Sequence, residues 1–169
     1  MARATFTSAR VQLRIFQSAR EGVAGSGFQD DLEFLQSKDL DMSVRLGALL
    51  AFDALMLTAA INPIAASPGA PLSLDAPTQP VFVIIISIAT MLLGIAAFLC
   101  VRGVLIGEEF DLKGIEGNRE ATITRLLAAY CSSIDAQARM IHLASRFTLA
   151  GGAIALLGCL AIMAVKIWG

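Results

Sequence analysis

The chain has 169 residues, of which 56% are hydrophobic and 16% are charged, and its formal net charge is −1. Soluble domains average about 45–50% apolar and about 25% charged residues, so the balance here is that of a membrane protein. The near-zero net charge gives no overall attraction to nucleic acid, and we expect no nucleic-acid partner.

Residues 1–27 form a basic, amphipathic amino-terminal segment that ends in a glycine-rich break. Four arginines precede the first acidic residue, Glu21, and apolar residues recur between them at helical spacing. The apolar positions are Phe6, Ala9, Leu13 and Phe16. Such a segment lies on an anionic membrane surface, serves as a mitochondrial transit peptide, or forms a solvated helix. The sequence leaves these alternatives open.

Three stretches have the length and composition of membrane spans. A helix needs about 20 mostly apolar residues to cross the hydrocarbon layer, and residues 44–64, 81–101 and 147–165 meet this requirement. A cytoplasmic helix over 28–43 is predicted to lead into the first span. The prolines cluster around the connection between the first two spans, which we predict to be a stiff outer loop over 65–80.

The distribution of lysine and arginine predicts the orientation. With three spans, the amino terminus and the 102–146 segment lie on one side of the membrane, and they carry twelve of the thirteen basic residues, counting Arg45 and both ends of the segment. Only Lys166 falls on the other side. The positive-inside rule therefore places the amino terminus in the cytoplasm and the carboxyl terminus outside.

Residues 102–146 are predicted to form a cytoplasmic loop and then an amphipathic helix that continues into the third span. Apolar side chains of this helix alternate spacings of three and four residues, which indicates a heptad seam. Its members are Ile123, Leu127, Tyr130, Ile134 and Ile141, with the polar Gln137 between the last two. The seam packs either on the 28–43 helix of the same chain or between subunits of an oligomer.

The motifs of known enzyme active sites are not recognisable, so we predict a protein that is not an enzyme and has no metal or other cofactor. The single histidine, His142, is expected to be an interfacial or packing residue. Acidic residues of the 102–146 segment, Asp135 among them, alternate with basic residues in the manner of a solvated face.

Asp53 is the candidate site residue, because it lies near the middle of the first predicted span. A charged side chain there costs at least about 2.5–3.5 kcal/mol and should face other helices or water. It is a pore-lining acid, a proton site or a polar contact that specifies assembly. Otherwise it is only a carboxyl group that hydrogen-bonds to Thr90 or Ser87 of the second span.

Small residues at four-residue spacing predict close helix packing on two spans. Gly103 and Gly107 form one such pair at the inner end of the second span, and Gly151 and Ala155 form another on the third. Pairs of this kind let helix backbones approach closely. They do not distinguish packing within the chain from packing between chains.

The order of the predicted helices also resembles that of a known protein family. A helix runs through Leu35–Arg45 into the first span, a proline-bearing hairpin follows, and a long helix passes through Ala144–Arg146 into the last span. In this layout the chain resembles the Pycsar transmembrane effectors of bacterial cyclic-nucleotide antiphage defence. That family tends to carry Asp-x-Lys-Ala before the first span, whereas here Ser43 occupies the lysine position after Asp41. The resemblance implies a membrane-disrupting or channel-like effector released by a cyclic pyrimidine nucleotide.

The residues and the resemblance together predict a small, non-enzymatic protein of the bacterial inner membrane that acts in the bilayer as a homo-oligomer. Two other hypotheses remain open. The chain is an accessory or scaffold subunit of a larger membrane complex, bacterial or mitochondrial, or it provides a proton or ion pathway centred on Asp53.

Overall fold

The part of the chain that the structure describes is almost entirely helical and contains no strand. The structure is a computed structural model, and it describes residues 8–20, 27–67, 70, 72–74, 79–106 and 119–168. Its four helices are α1 (Ala9–Arg20), α2 (Phe28–Ala65), α3 (Pro80–Ile106) and α4 (Arg119–Trp168). The predicted all-α fold is confirmed.

Three of these helices, α2, α3 and α4, are long and apolar enough to cross a membrane, as predicted. The helix predicted over 28–43 and the span predicted over 44–64 belong to a single helix of 38 residues, α2. Likewise the third span continues an amphipathic helix, because α4 runs for 50 residues without a break. At about 1.5 Å per residue, α4 measures roughly 75 Å.

The ends of α2 follow from its sequence. The helix begins after Gly27, whose carbonyl accepts a hydrogen bond from the backbone N–H of Asp30 at 3.2 Å. Asp30 and Asp31 in its first turn place negative charge at the positive end of the helix dipole. Pro63 lies in the last turn, where proline opposes further helix. The Pro63 carbonyl accepts a hydrogen bond from the backbone N–H of Leu74 at 2.9 Å, which ties the outer loop to the helix end.

The chain divides into two compact units. Unit 1 comprises Met1–Arg45 and Gly103–Arg139, and unit 2 comprises Leu46–Arg102 and Met140–Gly169. The described part of unit 1 therefore contains α1, the polar parts of α2 and α4, and the last four residues of α3. Unit 2 contains the apolar parts of α2 and α4, together with most of α3.

Unit 1 has an apolar core to which α1, α2 and α4 all contribute. Its buried members are Ala9 and Leu13 of α1, Leu35 of α2, and Cys131 and Ile134 of α4. Partly buried Phe34, Met42, Leu127 and Tyr130 pack against them. The rings of Phe16 on α1 and Phe34 on α2 stack, with centroids 4.6 Å apart.

The sequence left open where the seam of α4 packs and what the apolar face of the amino-terminal segment contacts, and this core bears on both questions. Three members of the predicted seam, Leu127, Tyr130 and Ile134, pack within the chain. The other two, Ile123 and Ile141, are half-buried. On α1, Ala9 and Leu13 are buried in this core and Phe16 stacks on Phe34, whereas Phe6 lies outside the described residues.

Unit 2 packs its helices closely through small residues. A Cβ atom added to Gly151 of α4 would lie 2.9 Å from Cγ of Leu93 and 3.1 Å from the carbonyl oxygen of Ala89, both on α3. One added to Gly158 would lie 3.0 Å from Cδ1 of Ile86. Gly151 and Gly158 of α4 therefore lie close against α3 of the same chain. Ala155 packs in one buried cluster with Ala89 and Leu93 of α3.

Candidate functional site

Asp53 lies on the face of α2 that turns toward the interior of unit 2. Leu46 lies seven residues before Asp53, and Ala60 lies seven residues after it. Like Asp53, both are fully buried, with exposed fractions of at most 1%. Seven residues are close to two helical turns, so the three side chains share one face. On the other side of the helix, Phe52 and Leu55 are exposed and offer apolar surface to lipid.

The carboxylate of Asp53 is held by side chains from two other helices. The hydroxyl of Thr148 on α4 donates a hydrogen bond to Oδ1 of Asp53 at 2.6 Å. The thiol of Cys100 on α3 lies with its Sγ 4.0 Å from Oδ2, in position for a weak hydrogen bond. All three side chains are buried. We refer to Asp53, Cys100 and Thr148 as the polar cluster.

The stripe of small residues on α4 brings Thr148 to this position. Thr148, Gly151, Ala155, Gly158 and Ile162 are all buried and follow one another at three- or four-residue spacing. Thr148 is the polar end of this stripe. Its hydroxyl also lies 3.0 Å from the carbonyl oxygen of Ala144, one turn earlier on the same helix.

A corresponding stripe on α3 explains why Cys100 reaches the carboxylate. The buried residues of this helix recur at three- or four-residue spacing, and they are Ile86, Ala89, Leu93, Ala96, Cys100 and Gly103. Small side chains at most of these positions let the helices approach closely. Cys100 therefore belongs to the packed face of α3.

The predicted partners of Asp53, Thr90 and Ser87, were wrong. The hydroxyl of Thr90 donates to the carbonyl oxygen of Ile86 on its own helix at 2.9 Å, and Ser87 is exposed. Neither residue belongs to the buried stripe of α3. The signal that could have corrected the prediction is the spacing of small residues on both helices, which selects Cys100 and Thr148.

The predicted small-residue pairs have different outcomes. Gly151 and Ala155 pack on α3 within the chain, as described above. Gly103 is buried on the packed face of α3. Gly107 lies outside the described residues.

Unit 1 contains a second buried polar contact, at the polar residue that interrupts the seam. Gln137 is fully buried, and its side-chain N–H donates to Oδ1 of Asp39 on α2 at 3.0 Å. Its side-chain oxygen has no hydrogen-bond partner in the described part of the chain. The polar position in the seam is therefore matched to a polar side chain of α2.

Asp135 connects α4 to the amino-terminal end of α1. Its carboxylate accepts a hydrogen bond from the hydroxyl of Ser8 at 2.7 Å and another from the backbone N–H of Ala9 at 2.8 Å. The first N–H groups of a helix have no partner within the helix, so the carboxylate acts as a cap supplied by another helix. The interpretation of Asp135 as part of a solvated face was wrong.

The outer loop is anchored to the end of α4. The ammonium group of Lys166 donates to the carbonyl oxygen of Ala70 at 2.9 Å and lies 3.2 Å from the hydroxyl oxygen of Ser73. Beside it, Trp168 is 89% exposed. This arrangement suits the predicted far interface, where a lysine and a tryptophan both favour the membrane–water boundary.

The polar cluster offers a carboxyl group, a hydroxyl and a thiol, and the Asp53 carboxyl group can form hydrogen bonds and exchange a proton. Within the described residues, no three His, Cys, Asp or Glu side chains come together as a metal site would require.

Comparisons with known proteins found no family model, no curated protein and no solved structure that matches the chain.

Proposed function

We propose that the chain is a non-enzymatic membrane effector that permeabilises a cell membrane as a homo-oligomer. The polar cluster keeps it closed in the arrangement described here. The observation that carries this proposal is the complete burial of Asp53, with its carboxylate held by Thr148 at 2.6 Å. An ionisable residue among membrane spans is costly, and such residues usually mark a functional site.

The closed arrangement shields the carboxyl group from lipid by contacts within a single chain. If α4 moves away from α2, the carboxyl group loses its strongest hydrogen bond and faces hydrocarbon. An exposed charge there costs at least about 2.5–3.5 kcal/mol, and water or polar groups of another copy relieve that cost. Opening the polar cluster thus favours a hydrated assembly of several chains, which is the permeable state.

The location belongs to the same proposal. We place the chain in a bacterial inner membrane with its amino terminus in the cytoplasm and its carboxyl terminus outside, because twelve of the thirteen basic residues fall on the cytoplasmic side. The resemblance to the Pycsar effectors supports an effector role, and it adds antiphage defence as the setting and a cyclic pyrimidine nucleotide as the trigger.

The proposal is tested by overproducing the protein in bacterial cells and measuring entry of a membrane-impermeant dye. Cells with the wild-type chain should admit the dye, since a high concentration drives assembly. Asp53→Leu should be produced and inserted at equal levels but admit little dye, because it has no polar group to expose. Ser87→Leu is the matched control, since Ser87 is an exposed hydroxyl of α3, and it should behave as wild type. Exclusion of the dye by wild-type cells, or full permeability with Asp53→Leu, contradicts the proposal.

The oligomer is tested separately by the mass of the particle purified in detergent. A mass that corresponds to several copies of this chain alone is expected. Recovery of the chain only together with other proteins would instead make it an accessory or scaffold subunit of a larger complex.

The second candidate function, a proton or ion pathway, rests on the same carboxyl group. Thr148 provides a hydroxyl at 2.6 Å to pass or accept a proton. Asp53→Asn keeps the shape and the ability to accept a hydrogen bond but cannot release a proton. Under the first proposal this variant stays assembled and still admits the dye. Loss of activity with assembly intact would place the proton pathway first.

A further inference from the structure

A groove with two arginines lies between α1 and α4 in unit 1. It has a volume of about 350 Å³, within the range of small-molecule sites, about 300–1,000 Å³. Four residues of α1 and four of α4 line it. They are Arg10, Leu13, Arg14 and Gln17 on α1, and Thr124, Leu127, Ala128 and Cys131 on α4.

Each helix contributes one continuous face to the groove. Both sets of residues follow the spacing three, one, three, which places them on one side of a helix. The floor is apolar, since Leu13 and Cys131 are buried in the core of unit 1. The rim carries the charge, because Arg10 and Arg14 are exposed and lie one helical turn apart.

The two arginines are not neutralised within the described part of the chain. Neither Arg10 nor Arg14 forms an ion pair with a carboxylate there, whereas Arg45 pairs with Asp41 at 3.1 Å. The nearby Asp135 already accepts hydrogen bonds from Ser8 and Ala9. Arginine binds phosphate through two parallel, charge-assisted hydrogen bonds of defined geometry.

We propose that this groove binds an organic phosphate, with Arg10 and Arg14 holding the phosphate group and the apolar floor holding the organic part. The proposal does not depend on the function of the polar cluster. A soluble phosphate ester and the headgroup of an anionic phospholipid share this chemistry, so the ligand comes from solution or from the membrane.

Two binding measurements on the full-length protein in detergent distinguish these sources. The first is calorimetric titration with phenyl phosphate, and the second is native mass spectrometry with dihexanoyl phosphatidylglycerol. Saturable binding of phenyl phosphate indicates a soluble ligand, and retention of the lipid alone indicates a headgroup. Either result supports the proposal, and failure of both probes to bind overturns it.

Substitutions then locate the bound molecule. Arg10→Gln and Arg14→Gln should each weaken binding of the active probe about tenfold, because each removes a charge-assisted contact. Arg139→Gln removes the same charge from an exposed position of α4 outside the groove and should change affinity less than about twofold, as expected of a distant exposed charge.

A steric variant tests the floor independently of charge. Ala128→Phe should fill the groove and abolish binding while the arginines remain. Thermal unfolding and helix content of every variant should match wild type if the fold is intact. Binding that survives Ala128→Phe, or that weakens equally with Arg139→Gln, would mean that the probe is held by general surface charge, which overturns the proposal.

Discussion

Asp135 is one of the residues that hold α1 on the rest of unit 1. Its carboxylate accepts the Ser8 hydroxyl and the Ala9 backbone N–H at the start of α1. Burial raises the pKa of the Cys131 thiol, the Asp135 carboxylate raises it further, and Arg10 opposes the rise. With α1 in place the thiol is therefore mostly protonated near neutral pH and should react slowly with alkylating agents.

Replacing Asp135 should release α1. Asp135→Ala removes two hydrogen bonds to a charged group, a loss of about 1.5–3 kcal/mol each. We expect faster amide exchange over α1, faster tryptic cleavage after Arg14 and faster alkylation of Cys131. Glu33→Ala removes an exposed carboxylate of α2 and should leave all three rates unchanged. Unchanged rates in Asp135→Ala would show that the cap does not hold the helix.

At the scale of residues, the sequence singled out Asp53 as a candidate but did not predict its neighbours. The rarity of charge within a span identified Asp53. Its partners depend on the relative rotation and register of three helices, which apolar composition does not specify. The choice of Thr90 and Ser87 assumed that the neighbouring helix in sequence supplies the hydrogen bond.

At the scale of elements, the close contact of α3 and α4 depends on Gly151. Gly151→Ala places a methyl group 2.9 Å from Cγ of Leu93, where a Cβ atom does not fit without displacement. We expect a loss of about 1–3 kcal/mol, as for other overpacked sites. The measurement is the thermal unfolding midpoint in detergent.

Gly94 provides the matched control for this prediction. A Cβ atom added there meets nothing within 4 Å, and alanine is the better helix former by about 1 kcal/mol. Gly94→Ala should therefore unfold at or slightly above the wild-type temperature. Equal midpoints for the two variants would contradict the packing described for α4.

The apolar seam of α4 provides the second prediction about elements. Ile134 is 4% exposed in the core of unit 1, so Ile134→Asp buries a charge without a partner and should cost more than about 3 kcal/mol. Ser132 is exposed on the same helix, and Ser132→Asp should be tolerated. Amide exchange over α1 and residues 119–139 reports the difference. Equal protection in both variants would mean that the seam faces water.

The length and type of the elements were predictable, because long apolar runs and three-four spacing fix where helices form. The surface on which the seam packs could not be predicted. A heptad pattern requires a covering surface but is the same whether that surface belongs to the chain or to another copy. The apolar face of α1 supplies part of the cover.

At the scale of the whole molecule, the three spans and the distribution of basic residues predict one topology. A reporter enzyme fused after residue 70 should be active outside the cytoplasm, and one fused after residue 115 should be active inside it. The reverse pattern would contradict the orientation. The same activity at both positions would contradict the span between them, α3.

We propose that the hydrogen bond from Thr148 to Asp53 keeps unit 2 closed, and dye leakage from liposomes with the reconstituted protein tests this most directly. Thr148→Val removes the bond to Asp53, whereas Thr90→Val removes only a bond to its own helix. We predict faster leakage with Thr148→Val than with wild type, wild-type leakage with Thr90→Val, and no added leakage when Asp53→Leu is combined with Thr148→Val. Equal leakage from Thr148→Val, Thr90→Val and wild-type liposomes would contradict the account.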